Sequence, residues 1–167
     1  RFGGLQRSQN GGTTWTKVLG HGAGAGNNSI YNVKISEQGK IWVAVRSTGV
    51  YSSQTGDSGD FTKLNSPTNG FNPTGISRVE IAITPADTNY VYAMTESSGG
   101  VSGMFKSTNG GSTWTAMSLP DDDDNGIPAA DFTRGQGWYD FVIGVDPVDE
   151  DNVIVGGVDL FYSDNGG

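Results

Sequence analysis

The chain has 167 residues, room for one ordinary domain, with 27 glycines, no cysteine and a formal net charge of −8. That balance excludes the basic patch with which a nucleic-acid binder displaces counterions and disfavours an anionic membrane surface, while the absence of cysteine removes any disulfide framework. No apolar run reaches the roughly 18–20 residues of a membrane span, and apolar residues come in short bursts between Gly, Asn, Ser and Asp clusters, so the expected class is all-β, many short strands joined by turns.

The chain opens on Arg1 and closes inside a repeated motif, and the expectation is a section of a longer polypeptide. Its first element is the hairpin "RSQNGGTTWTKV" (7–18), expected to carry the outer strands of one sheet within residues 1–19. The link "GHGAGAGNN" (20–28) holds the sole histidine, His21. Without a second His or a Cys it makes neither a zinc site nor a nucleophile–base pair, and its glycines lack the phosphate-loop spacing. Residues 29–64 read strand, turn, strand, turn, strand, then a worn hairpin, "YSSQTGDSGDF", with Ser53 in the serine place and Phe61 where tryptophan stands elsewhere. Residues 76–117 repeat the scheme, with strands expected at 78–84, 90–95, 103–107 and 114–117, and close on "KSTNGGSTWTAM" (106–117). The long link "LPDDDDNGIPAADFTRGQGWYD" (119–140) leads to a last, truncated unit, 138–167, ending in "YSDNGG".

The hairpin boxes begin at Ser8, Ser53, Ser107 and Ser163. Periods of about 40–50 residues built from short strands point to propeller blades, each a four-stranded antiparallel meander. The expectation is a partial β-propeller, about three blades plus the outer strands of another. The box chemistry is that of a turn. Asn109 can bond back to nearby amides, Gly110 and Gly111 permit positive φ, and Ser107 and Thr113 add local hydroxyl bonds. Trp114 then brings a large apolar surface to the start of the outer strand. The boxes are therefore read as fold devices.

Ser8, Asn10, Gly12, Thr14 and Trp15 follow S-x-D-x-G-x-T-W in order, with Asn for Asp. Ser107, Asn109, Gly111, Thr113 and Trp114 do the same, and Ser163, Asn165 and Gly167 begin a further copy. The pattern resembles the Asp-box, or BNR repeat, of sialidases, xyloglucanase-type glycoside hydrolases, sortilin-like receptors and many bacterial surface proteins. The stretch "GQGWYDFVIGVDPVDEDNVIVGGVDLFYSDNGG" resembles large secreted Asp-box proteins of Bacteroidetes. That resemblance implies export by type IX secretion, contact with secretion machinery components, and a place at the surface of, or outside, a Gram-negative cell.

On such a scaffold the box hairpins share one face. Ligands are expected on the other, which carries the links 20–28, 65–75 and 118–137 and the turns 47–49, 96–102 and 157–159. The expected recognition set is Asp131, Arg134, Trp138 and Asp140. Trp138 would stack on a sugar face, while Arg134 and the carboxylates bond hydroxyls. The structural alternative is that Trp138 caps the blade and Arg134 pairs with Asp131 or Asp140. No cofactor or metal site is expected. Asp121, Asp122, Asp123 and Asp124 have the oxygens for a hard cation, but not the alternating spacing of a calcium loop, and read more simply as a solvated acidic loop.

Two functions follow as expectations. The first is a binding or adhesion module for a glycan or protein ligand. The alternative is a glycoside hydrolase of the sialidase or xyloglucanase type. A sialidase needs an arginine cluster and a Tyr–Glu nucleophile pair, and the chain lacks the F/Y-R-I-P motif. Other glycosidases need two carboxyls flanking the bond, for which Asp131 and Asp140 are the available pair. The binding module leads, because no full catalytic constellation assembles from these residues.

Overall fold

The structure, a computed structural model, describes residues 3–20, 29–85, 87–121, 125–126 and 130–167. Four antiparallel sheets follow one another along the chain. The first pairs β1 (Leu5–Arg7) with β2 (Thr16–Leu19). The second runs β3 (Ile30–Ile35), β4 (Ile41–Val45), β5 (Gly49–Ser53) and β6 (Thr62–Lys63), and the third β7 (Arg78–Ile83), β8 (Val91–Ser97), β9 (Gly100–Ser107) and β10 (Thr115–Met117). The fourth holds β11 (Val142–Val145), β12 (Val153–Gly156) and β13 (Leu160–Ser163). Every sheet is a meander in which each strand pairs with its neighbour in sequence. No helix forms among the described residues.

The strands form where Val, Ile, Tyr and Phe cluster, because branched and aromatic side chains suit a pleated, packed surface. Central strands β4 and β8 are buried on both faces. Trp42, Ala44 and Val50 of the second sheet meet Ile81, Val91 and Ala93 of the third in one core. Tyr92, Met94 and Met104 on the opposite face of the third meet Ile143, Val153 and Val155 of the fourth in another. Strands β8 and β9 run further than the sequence predicts. Ser98 and Gly99, both at positive φ, close a tight turn and let the ladder continue to Ser97–Gly100, so the expected turn 96–102 shrinks to two residues.

The boxes superimpose bond for bond. Ser107 Oγ donates to Asn109 Oδ1 at 3.0 Å and accepts from Gly111 N at 2.8 Å, while Asn109 Oδ1 takes Thr113 N at 2.9 Å. Ser8, Asn10, Gly12 and Thr14 repeat these at 3.0, 2.8 and 2.9 Å. Ser163, Asn165 and Gly167 repeat the first two at 2.9 and 2.8 Å. Asn109→Ala is expected to cost about 1 kcal/mol, the loss of a cap-like local bond, measurable as a drop in melting temperature.

The worn hairpin keeps the serine and moves the acceptor. Gly56 N still donates to Ser53 Oγ at 2.7 Å, but the oxygen answering Ser53 belongs to Asp60, which also takes Gln54 N and Thr55 N at 3.0 Å. These donors, the Ser53 hydroxyl foremost, hold the Asp60 carboxyl down to about 2. A lowered folded-state pKa means stability that is present above the ordinary carboxylate value and lost as pH falls through about 2. Asp60→Asn is therefore expected to flatten the loss of melting temperature between about pH 4 and pH 2. A variant as acid-sensitive as the parent would refute this.

The two box tryptophans differ. Trp114 is 6% exposed, its indole edge-on to Phe71 at 5.3 Å and its Nε1 donating to Leu64 O at 2.9 Å. It seals a junction between sheets rather than covering the edge of its own. Trp15 is 61% exposed, and its Nε1 returns to Gly12 O of its own turn. The link 64–77 also differs from a plain surface loop. Gly70, at φ 93°, lies against the Trp114 carbonyl where a Cβ has no room, and Phe71 beyond it is fully buried and stacked on Phe105 at 4.2 Å.

Candidate functional site: the loop face

The turns β4–β5, β8–β9 and β12–β13, at the strand ends away from the box hairpins, are each tied to an inter-sheet link: Ser47 N donates to Ser77 O, Gly137 N to Gly99 O and Val158 N to Phe132 O. Among the described residues, the four non-glycine positions with positive φ are Ser47, Ser98, Ala130 and Arg134, and all lie on these turns and links. Backbone held in that region costs of order 1–3 kcal/mol and persists where the surroundings over-determine it, a condition met mostly at functional sites.

The segment 130–141 is fixed from within and from below. The Asp131 carboxylate accepts Thr133 Oγ1 at 2.5 Å, Gly135 N at 3.1 Å and Val101 N at 3.4 Å, and its carbonyl accepts Arg134 N. Gly137 N donates to Gly99 O at 2.6 Å, tying the loop to the β8–β9 turn. Gln136 O takes the amides of Tyr139 and Asp140. Asp131 thus shapes the loop. The Arg134 guanidinium reaches Asp159 on the β12–β13 turn, at 3.0 Å through Nε and 2.9 Å through Nη2. Among the described residues its carboxylate contact is with Asp159 and not with Asp131 or Asp140, the two that the sequence offers. Trp138 and Tyr139 stand 65% and 63% exposed, ring centroids 5.1 Å apart and inclined at 38°. Asp140 follows them directly, ahead of the buried Phe141.

Beneath this loop runs a polar tie that sequence reasoning missed. Arg78, the first residue of β7, binds Glu80 Oε1 through Nε and Nη2 at 3.1 and 2.8 Å. It also donates to the carbonyls of Gly137 at 3.5 Å and Phe141 at 3.3 Å, bracketing Trp138–Asp140. The other Glu80 oxygen accepts Asn32 Nδ2 from β3 at 2.5 Å. The guanidinium lies 5.4 Å from the Tyr31 ring and 5.6 Å from that of Phe141. The first strands of two successive sheets, β3 and β7, are so joined to each other and to the loop that leads into β11. The only sequence signal was the R-x-E spacing on one strand face, common in solvated strands.

His21 and Asp122–Asp124 lie outside the described residues, and Asp121 is exposed. Among the described residues, no three His, Cys, Asp or Glu side chains gather as a metal site would require.

No protein-family model matches the chain, and no curated protein matches it in sequence. Solved structures do match in shape. The GH74 enzyme of Niastella koreensis superimposes with a TM-score of 0.67 at 23% identity, covering 97% of this chain and 25% of that one. An ancestral GH74 enzyme gives 0.66 at 21%, covering 99% and 20%. YCF48 bound to D1 peptide gives 0.55 at 19%, covering 95% and 43%. The fold is a β-propeller. This chain spans a quarter or less of the two enzymes and under half of YCF48, so its sheets are blades of a partial propeller. At these identities the likeness concerns fold alone.

Proposed function

We propose that the loop face is a glycan-recognition surface, and that the chain is the binding section of an Asp-box propeller acting as an adhesion module outside the cell or on its surface. The observation that carries the reading is the Trp138–Tyr139 pair, two large aromatic rings held in water on a loop whose backbone is pinned at Gly137, Gln136 and Phe141. Exposed aromatics on a rigid support are what a sugar face stacks on, with polar neighbours to orient it. Arg134, Asp159 and Asp140 supply those neighbours. Asp131 holds the loop and contributes to the site through its shape.

A glycoside hydrolase is the second reading, the kind of protein named for two of the solved structures that share this fold. It requires a pair of carboxyls about 5–5.5 Å or 6.5–9.5 Å apart. Asp131 already accepts from three donors, Thr133 and Gly135 in its own loop and Val101 on β9, which speaks for recognition rather than hydrolysis. The sialidase form is less favoured still, since Arg78 and Arg134 are engaged by Glu80 and Asp159.

Trp138→Ala is expected to weaken binding to the best ligand on a glycan array at least about tenfold, with little change in melting temperature. Unaltered binding by a folded variant would end the proposal. Turnover of a chromogenic glycoside, lost in Asp140→Asn, would put the hydrolase first. Export by type IX secretion, through contact with its machinery, belongs to the same proposal. It is tested by whether the protein stays inside cells lacking that system.

A further inference from the structure

Among the described residues, two guanidinium groups are carried by or bonded to the segment with Trp138 and Tyr139, and both are occupied in one way. Arg78 lays its Nε–Nη2 edge on a single oxygen of Glu80, at 3.1 and 2.8 Å. Arg134 lays the same edge on a single oxygen of Asp159, at 3.0 and 2.9 Å. That planar fork is what an arginine uses to grip a carboxylate. The Arg78 and Glu80 side chains lie deep, 14% and 9% exposed. Those of Arg134 and Asp159 stand at the surface, 31% and 34% exposed, where a ligand reaches them.

The surface pair is built into the fold rather than left to two mobile side chains. Arg134 holds φ at 50°, and its amide donates to Asp131 O. Asp159 sits on a turn docked against the segment, for the amides of Val158 and Asp159 both donate to Phe132 O, at 3.1 and 3.3 Å. Gly157 of that turn lies so close that a Cβ there would stand 2.8 Å from Thr133 Cγ2 and 3.1 Å from Asp140 O. The other acids near the aromatic pair bring no cation with them. Asp131 and Glu96 accept the amides of Gly135 and Gly99, and Asp140 adds a carboxylate directly after Tyr139.

We propose that Asp159 fixes the charge class of the ligand: the loop face takes uncharged oligosaccharides and turns away those bearing a carboxylate, the uronates and sialates. The inference rests on the glycan reading of this face. A sugar hydroxyl both donates and accepts, so two neighbouring hydroxyls can join the Arg134–Asp159 pair without breaking it. A sugar carboxylate only accepts. To reach the guanidinium fork it has to displace Asp159, and the two carboxylates then face each other at short range. Like charges brought together in this way are a strong device against a wrong partner. Trp138 stacks on either class of sugar, so the discrimination falls to Asp159.

A glycan array printed with lactose and with gluco- and manno-oligosaccharides, beside their sialylated and C6-oxidised counterparts, reads the preference as a ratio. The protein is expected to bind neutral members at least about tenfold more tightly than their carboxylated partners. That binding should hold from about 0.05 to 0.5 M salt, since no net charge is matched. Asp159→Asn keeps the shape and one acceptor oxygen and removes the charge. It should move the ratio at least about tenfold toward the carboxylated members, in a salt-sensitive way, and Arg134→Gln added to it should undo the shift. An unchanged ratio in folded Asp159→Asn protein, or a parent that prefers a carboxylated member, overturns the inference, while binding that still depends on Trp138 leaves the glycan reading standing. Binding of neither kind overturns both. If Asp159→Asn does not fold, the parent decides, and a parent ratio near one or a neutral ligand lost at high salt refutes the inference.

Discussion

Trp114→Ala is expected to destabilise the protein by about 3–5 kcal/mol, the usual range for truncating a buried large aromatic. The indole fills the joint between two blades, stands edge-on to Phe71 and satisfies the Leu64 carbonyl. Its removal costs the transfer of that surface, opens a cavity and takes from the Leu64 carbonyl one of its two donors, Asn69 Nδ2 remaining. Phe71 and Phe105 would lose their lid but keep their stack. The equivalent change at Trp15, exposed and bonded only within its own turn, is expected to cost under about 1 kcal/mol. Chemical denaturation of the two variants measures the difference directly. Equal losses would show that the joint does not depend on the indole.

Arg78→Met is expected to cost about 3 kcal/mol or more. The substitution keeps much of the side-chain volume and removes the charge, leaving Glu80 in a largely buried place with Asn32 as its remaining partner among the described residues. Removing one member of a buried pair is strongly destabilising because an uncompensated charge stays behind, whereas replacing both with apolar groups is often nearly neutral. The double variant Arg78→Met, Glu80→Leu should therefore recover much of the loss. A double variant no better than the single one would refute the buried-charge argument. The single variant should also loosen the loop, since the carbonyls of Gly137 and Phe141 lose a shared donor. Hydrogen exchange across 137–141 would report this.

What the residues told in advance follows sequence distance. Each box is closed by bonds between residues two to four apart, so Ser107, Asn109, Gly111 and Thr113 announce their turn in the order in which they are written. The meanders could be read for the same reason, each strand pairing with the next. The worn hairpin was half readable. Ser53 kept its role, but the acceptor moved to Asp60, seven residues on, outside the pattern. Phe71 could not be foreseen as core, because a Gly-, Asn- and Pro-rich link signals surface and its burial depends on Trp114, 43 residues away, and on Phe105. At the candidate site, Trp138 and Asp140 announced themselves by residue type. The partner of Arg134 did not, since Asp159 lies on another turn 25 residues further along. The Arg78–Glu80–Asn32 tie spans 48 residues between β3 and β7, and nothing local marks it.

The strictly sequential strand order has a kinetic consequence. Every described sheet is drawn from one continuous stretch of chain, and its box hairpins close through contacts a few residues long. Such a molecule need not search for distant partners before its first structure forms, so the loop-closure entropy of each nucleus is small. Order can begin in any one sheet and spread to its neighbours, as in linear repeat arrays, the joints around Trp114 and Phe132 forming afterwards. Opening should run the other way. The second and third sheets, each covered by a neighbour on both faces, are expected to be the last to exchange their amides.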